Sequence, residues 1–598
     1  MTPHALIHWL EQGSGRRWLA RGTLLLGLGL LSVVVASKQF QGPRTEETLR
    51  QAVLARELSA GQGFTTLVRY PQSAALLAAR DPASAPERAL PEMYHPPGYA
   101  LVLAAALAIL PEPTRHAWSE ARIVPPDGWR LDYLLLAVNV LLLWVAAGQT
   151  WRLGCRLFDE RTGVLAAVAV VLSVPLWRHV AAVDGTSWAM VLGLALFQAL
   201  AGAETSRGGR RWGWLAAAGA SLAGLALTDY CWFALVPLAV VYVGWRQRVL
   251  AAGVVLGTAL LLVSPWLLRN VAATGHPLGL AAHDLALVQG DAQAEPAIAR
   301  TLAVTDPPPL RWEKVGRKLL GSADQLVRER LWSSGGLLFA GLFVAGWLYR
   351  FRRDDAQGLR MLVTIALVGV ALVQGTTNSG EGERHVPAVL APMVILFGAA
   401  FFWILVAGSP ARRGGAAWAV ALLLAGQAAP LLHDLLEPRR IHFTYPPYHA
   451  PLFQHLADGL VSPGDEHPSW MADVPAGAAW YSGLRVWAQP AELRQLYVVH
   501  AEQPLVALVL TPRTLDRPYF ADLAVDSRAT TSRFGEWERI YRGLAREQLP
   551  LDFPLRRMER IADNFIVLFD PQRPPWRGNS VAPGRTNPLR APGQTATP

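Results

Sequence analysis

Charge is scarce in this chain, and cysteine is nearly absent. Asp, Glu, Lys and Arg make up 17% of the 598 residues, against about 25% in soluble domains. The two cysteines, Cys155 and Cys231, form no CxxC pair and no Cys/His cluster. That excludes a zinc ribbon and a disulfide framework. No P-loop, HExxH, GxSxG or kinase signature occurs, so nucleotide-driven and serine- or zinc-hydrolase chemistry have no sequence support. What is there instead is long apolar runs. Thr23 to Ala36 and Met361 to Val373 carry no charge at all. Runs approaching about 20 apolar residues read as membrane-spanning helices. The net charge of +10 would suit a nucleic acid, but the arginines sit mainly in short loops between apolar runs, where topology signals belong. No nucleic-acid partner is expected.

The fold class that follows is a polytopic α-helical membrane protein with a C-terminal soluble α/β domain. The flank before the first apolar run holds Arg16, Arg17 and Arg21, which places the N-terminus inside and reads the run as an uncleaved first span. A large outer loop (37–130) with interfacial helices comes next. Its apolar stretch Pro97–Leu110 is too short to cross. If it did cross, the basic loops would all fall outside: Arg152, Arg156 and Arg161; Arg207, Arg210 and Arg211; Arg246 and Arg248; Arg350, Arg352, Arg353 and Arg360; Arg412 and Arg413. Kept non-crossing, it leaves about eleven spans, with every cluster inside and the C-terminus outside. Cys155 and Cys231 then lie on opposite faces and do not pair. The expected division is a membrane domain over 1–435, an extracytoplasmic α/β domain over 436–572 and a disordered tail over 573–598.

Polar residues collect at three outer positions: Glu46-Glu47 after the first span, Asp184 after the third, and Glu381 to His385 before the tenth. Carboxylates at a membrane edge are costly to desolvate, which makes each a candidate for function. Taken singly, each is as readily a helix end in water. Tyr94-His95-Pro96-Pro97-Gly98-Tyr99 adds an extended entry into the non-crossing helix. Pro265-Trp266-Leu267-Leu268-Arg269-Asn270 puts Arg269 outside, against the charge rule, and so suggests a local anionic partner.

Together these motifs resemble a family. "A-R-x-L-x-x-G-x-G-F" over 55–64, "H-P-P-G-Y" over 95–99, "P-W-x-x-R-N…G-x-P" over 265–277 and "E-R-x-x-P-x-x-x-x-P" over 383–392 recur in order on a topology read separately from charge. The set is similar to the C-type membrane glycosyltransferases, in the bacterial branch of dolichyl-phosphate-mannose protein mannosyltransferase relatives and lipid A aminoarabinose transferases. The resemblance covers about the first 430 residues. It implies a polyprenyl-phosphate sugar donor, a lipid, glycan or protein acceptor, and transfer with inversion at the outer face of the bacterial cytoplasmic membrane. It implies a carboxylate near the acceptor at Glu47 or Glu46, where the family usually has an Asp-Glu pair. Asp184 matches the family's second acidic position and His95 a basic position near the donor phosphate. Arg269, Arg384 and Glu383 are further candidates at that phosphate. A divalent cation, Mg or Mn, is a candidate cofactor, with Glu47 and Asp184 as its candidate ligands.

The alternative readings are a flippase or transporter of lipid-linked sugars, and a membrane scaffold or sensor with an outer ligand-binding domain. Against the transporter, the sequence shows no inverted repeat and no matched pair of broken helices. In the C-terminal region the apolar runs Leu505–Leu510 and Phe565–Phe569 read as buried strands and Pro490–Leu496 as helical.

Overall fold

The computed structural model describes residues 14–43, 45–80, 90–120, 129–282, 300–303, 309, 311–377, 385–408, 415–437, 450–461, 468–511, 535–545, 548–562 and 565–572. The candidate residues Glu383 and Arg384 and the tail 573–598 lie outside that set. The eleven apolar stretches fall on helical segments, but those at 162–177, 232–244 and 331–349 are each broken into more than one, so the count of candidate spans is below the eleven expected. Seven of the described helices are long and apolar enough to cross a membrane: Arg21–Gln39 (within the longer helix Ser14–Gln39), Arg130–Leu157, Thr186–Thr205, Val249–Thr274, Asp354–Thr377, Val386–Ala407 and Gly415–Leu436. The count reaches nine if two bent pairs each make one span, Glu160–Val171 with Val174–Ala182 (51°) and Trp312–Ser333 with Leu337–Leu348 (112°). The sharper bend falls at Gly335 and Gly336, both at positive φ, a conformation that glycine reaches without penalty. The chain is thus a multi-pass membrane protein. The non-crossing stretch forms Gly98–Ile109, only 12 residues, or about 18 Å of helix at 1.5 Å per residue. That is well short of a bilayer core of about 30 Å.

Strands β1 (Thr65–Thr66) and β3 (Leu90–Pro91) pair antiparallel in the first outer loop, and outside the spans the chain builds a six-stranded sheet whose strands are, from edge to edge, Val68–Arg69 (β2), Val486–Ala488 (β5), Trp470–Ala472 (β4), Ala507–Leu510 (β6), Phe565–Phe569 (β8) and Arg557–Ala562 (β7). Five of these strands, β4 to β8, come from the C-terminal region. The edge strand β2, Val68–Arg69, comes from the first outer loop and pairs parallel with β5 in the register Val68 to Val486. The Val486 N–H reaches the Leu67 carbonyl at 2.9 Å. Residues 300–302 join the same body, because Arg300 exchanges hydrogen bonds with Gln489 and Ala491. The sheet is therefore completed by segments of the region read as membrane domain.

Side chains alternate across this sheet, as strand geometry requires. Trp470, Ala472, Ala507, Val509, Phe565 and Val567 join a hydrophobic core continuous with the spans. Met471, Leu508, Leu510 and Leu568 join a second core with Trp537, Ile540 and Phe553. Three short strands buried on both faces give no polar alternation, which is why β4 and β5 carried little sequence signal.

The sheet's dependence on β2 makes a direct prediction. Residues 436–598 expressed alone lose the edge strand and most of the first core. They should bind a hydrophobic dye and unfold without a cooperative transition, whereas the full chain in detergent should show one. A cooperative transition in the isolated segment would contradict this.

Candidate active site

The helix Glu46–Ser59 starts the site. Thr45 caps it, its hydroxyl accepting the Thr48 N–H at 3.2 Å, and two glutamates in the first turn favour the positive end of the helix dipole. Successive helical residues point about 100° apart, so the two carboxylates face different surroundings. Glu46 is buried; its oxygens accept the backbone N–H groups of Ala476 at 3.0 Å and Gly477 at 3.4 Å. Glu47 is exposed, and its charge is felt at His95. Thr48 is buried again and donates to the Ala182 carbonyl at 3.4 Å. The first turn of this helix therefore touches the turn that carries Asp184.

That turn is held under strain. Val183 sits at φ 59°, a left-handed conformation that a β-branched residue rarely adopts. The Val183 carbonyl accepts the Tyr99 hydroxyl proton at 2.9 Å, and the Tyr99 oxygen accepts from Asn139 at 2.7 Å. Asp184 then takes the Thr186 N–H at 2.9 Å and lies 2.6 Å from the His179 Nδ1. The "H-P-P-G-Y" motif gains a physical reason here. Gly98 lets its helix approach the end of Gly209–Thr228, since a Cβ there would lie 2.5 Å from the Leu227 carbonyl oxygen. Tyr99 in turn secures the acidic turn.

His95 stands on the far side of the same motif. Its Nδ1 is 3.2 Å from the Glu92 carboxylate, which also accepts the N–H groups of Tyr94 (2.8 Å) and His95 (3.0 Å). Burial alone would raise the Glu92 pKa, but the hydrogen bonds and charge of His95 and the two amides outweigh it and hold Glu92 down at about 2. Burial would likewise lower His95. The hydrogen bond and charge of Glu92, with Glu47 adding, raise it above its ordinary value despite Arg50 nearby.

Arg269 packs over the Trp266 ring at 4.6 Å and gives its guanidinium to the carbonyls of Glu92 and Phe64, the latter at 3.2 Å. Asn270 reaches the Pro277 carbonyl at 3.1 Å and the Tyr230 oxygen at 3.2 Å. The "P-W-x-x-R-N…G-x-P" motif thus knits outer segments 64, 92 and 277 together, and Arg269 supports the loop that presents His95.

Sequence reasoning missed Glu92 and His179, each a few residues from a residue it singled out. It also passed over Asp229, which with Cys231 and His385 brings one ligand atom each to within 4.8 Å of one another. These three could hold a metal ion. A thiol, an imidazole and a carboxylate suit zinc-like ions better than Mg or Mn, which prefer all-oxygen shells. Among the described residues, neither Glu47 nor Asp184 belongs to such a group.

The arrangement has solved counterparts. ArnT from Cupriavidus metallidurans superposes with a TM-score of 0.54 at 15% identity, over 92% of this chain and 98% of that one. A second ArnT structure, bound to undecaprenyl phosphate, gives 0.54 at 14% identity over the same shares. The Archaeoglobus fulgidus oligosaccharyltransferase, in complex with Zn and sulfate, gives 0.53 at 11% identity, over 85% of this chain and 70% of that one. The chain thus has the fold of these solved structures. No family model and no curated protein sequence matches the chain.

The Gly98 contact predicts a stability difference. Gly98→Ala should lower the thermal midpoint, because overpacking against backbone costs about 1–3 kcal/mol. Gly148→Ala, with nothing within 4 Å of the new Cβ, should leave it unchanged or raise it by up to the ~1 kcal/mol helix preference for Ala. Thermal unfolding in detergent distinguishes the two.

Proposed function

We propose that this chain transfers a sugar from a polyprenyl-phosphate donor to an acceptor at the outer face of a bacterial cytoplasmic membrane, with the N-terminus inside and the C-terminal region outside. The observation that carries the reading is the division of labour between adjacent glutamates. Glu46 is spent on backbone amides, and Glu47 is left exposed, within electrostatic reach of His95 and one residue from the contact to the Asp184 turn. The solved ArnT structure bound to undecaprenyl phosphate supports a lipid-phosphate donor.

The roles follow from chemistry. The acceptor hydroxyl loses its proton to the Glu47 carboxylate as its oxygen attacks the anomeric carbon. The bond from that carbon to the phosphate oxygen breaks, and the lipid phosphate leaves with the electron pair, which inverts the anomeric centre. Protonated His95 neutralises the phosphate by charge-assisted hydrogen bonding, and Arg269, bonded to the Glu92 and Phe64 carbonyls, holds the loop that presents it. Asp184, anchored by His179 and Thr186, orients the acceptor side. These steps rest on the chain's own residues.

Glu47→Gln should lower kcat by roughly 10²–10⁴-fold, the usual contribution of a general base, while binding of the lipid phosphate persists. Wild-type turnover in that variant would remove Glu47 from the role. The His95 charge sets a pH dependence. A histidine whose folded pKa is raised is fully protonated below its ordinary value of about 6.5, and it loses that charge as pH rises through the raised value. Glu92 stays ionised throughout. Donor affinity should therefore fall with rising pH in the wild type. His95→Gln should weaken it by roughly 10- to 100-fold, the worth of a charged hydrogen bond, and flatten the pH profile.

A further inference from the structure

The C-terminal region is bonded to the helix that carries Glu47 more closely than a passive appendage requires. The short helix Pro475–Ser482 lies beside Glu46–Ser59 with both N-termini at one end. Parallel helix dipoles repel, and free amides and carbonyls are left at the two ends. The outer-loop helix answers both. Glu46 accepts from the first amides, Ala476 and Gly477. Ten residues on, Arg56 donates to the last carbonyls, Ala479 and Trp480, each at 3.0 Å, and lies over the Trp480 ring at 5.5 Å. Asp132, at the start of a candidate span, closes the third side. It accepts the Trp480 indole N–H at 2.9 Å and the Tyr481 hydroxyl at 3.0 Å. Trp129 packs against both rings at 5.0 Å.

From this we infer that Glu46 and Arg56 are positioning residues, which use the C-terminal helix as a splint to aim Glu47 at the acceptor. The inference rests on Glu47 being the base. Its geometry is direct. Glu46 is bonded to Ala476 and Gly477, Thr48 is bonded to Ala182, and Glu47 projects from the turn between two fixed neighbours. A base held at both flanks stays in the attacking geometry. Misplacement of about 1 Å can cost on the order of 100-fold in rate. The C-terminal region is then a component of the catalytic centre.

The test uses the full-length protein and two conservative variants. Glu46→Gln keeps the shape and one acceptor oxygen; Arg56→Lys keeps the charge but loses the two-pronged donor. Turnover is normalised to enzyme that binds undecaprenyl phosphate, so unfolded protein does not count. The expected result is a fall in kcat of roughly 10- to 100-fold in both, donor KM within about twofold, and faster amide hydrogen exchange at Ala476, Gly477 and residues 47–50. Unchanged kcat in both variants, with faster exchange at those amides, would overturn the inference by showing a purely structural clamp. Unchanged exchange in Glu46→Gln with turnover abolished would also overturn it, by making Glu46 the base. Amide exchange reports the clamp whether or not Glu47 is the base, and Glu47→Gln, measured in parallel, tests that assignment separately.

Discussion

The pairing of Val68–Arg69 with Val486–Trp487 brings together parts of the chain that lie far apart in sequence, and the rest of the outer architecture depends on it. A two-residue strand has little stability of its own. It holds because it extends a sheet whose face shares a core with the spans, and because Glu46 and Arg56 bond the backbone ends of the helix Pro475–Ser482. The described segments of the outer loop are thereby held at several points. Glu46–Ser59 lies against the C-terminal helix, Phe64 and Glu92 hang from Arg269, and Tyr99 locks the Asp184 turn. A loop of this length left in water would sample many states, and the entropy of ordering it would oppose any defined site. Here that cost is offset by buried apolar area and by hydrogen bonds to backbone groups that would otherwise end unsatisfied.

Electrostatics at the site follow from the same packing. Three donors converge on the buried carboxylate of Glu92, so it remains ionised where burial alone would neutralise it. Its hydrogen bond and charge favour the protonated form of His95 against the effect of burial. A buried anion that keeps a cation charged is one way to present positive charge at a membrane edge without placing a free arginine there. The arginine that does stand there, Arg269, has its guanidinium turned to carbonyls and an indole ring.

The apolar helices were legible in the sequence because apolar length is a local signal, but their number was not: seven described helices are long and apolar enough to cross, nine with the bent pairs, against about eleven expected. The non-crossing helix was legible from its length together with the parity of the basic loops. The "H-P-P-G-Y" and "P-W-x-x-R-N" motifs were visible as patterns, but their reasons were not: the Gly98 approach to Leu227 and the Arg269 grip on Glu92 join residues remote in sequence. The choice between Glu46 and Glu47 could not be made from adjacent identical residues. It turns on which one meets Ala476 and Gly477, and nothing near position 46 reports that contact. No sequence pattern marks Asp132, since its partners Trp480 and Tyr481 are remote in the chain. The region 378–384, which holds Glu383 and Arg384, lies outside the described residues.

The central claim is that this protein consumes a lipid-linked sugar at the outer face of the membrane. Mass spectrometry of the lipid-linked sugar pool, leaflet by leaflet, in host cells with and without the gene tests it most directly. The account predicts that one polyprenyl-phosphate sugar builds up on the outer leaflet when the gene is absent and clears when the wild-type gene is restored. Build-up confined to the inner leaflet would contradict it and mark the protein as a carrier of lipid-linked sugars across the membrane.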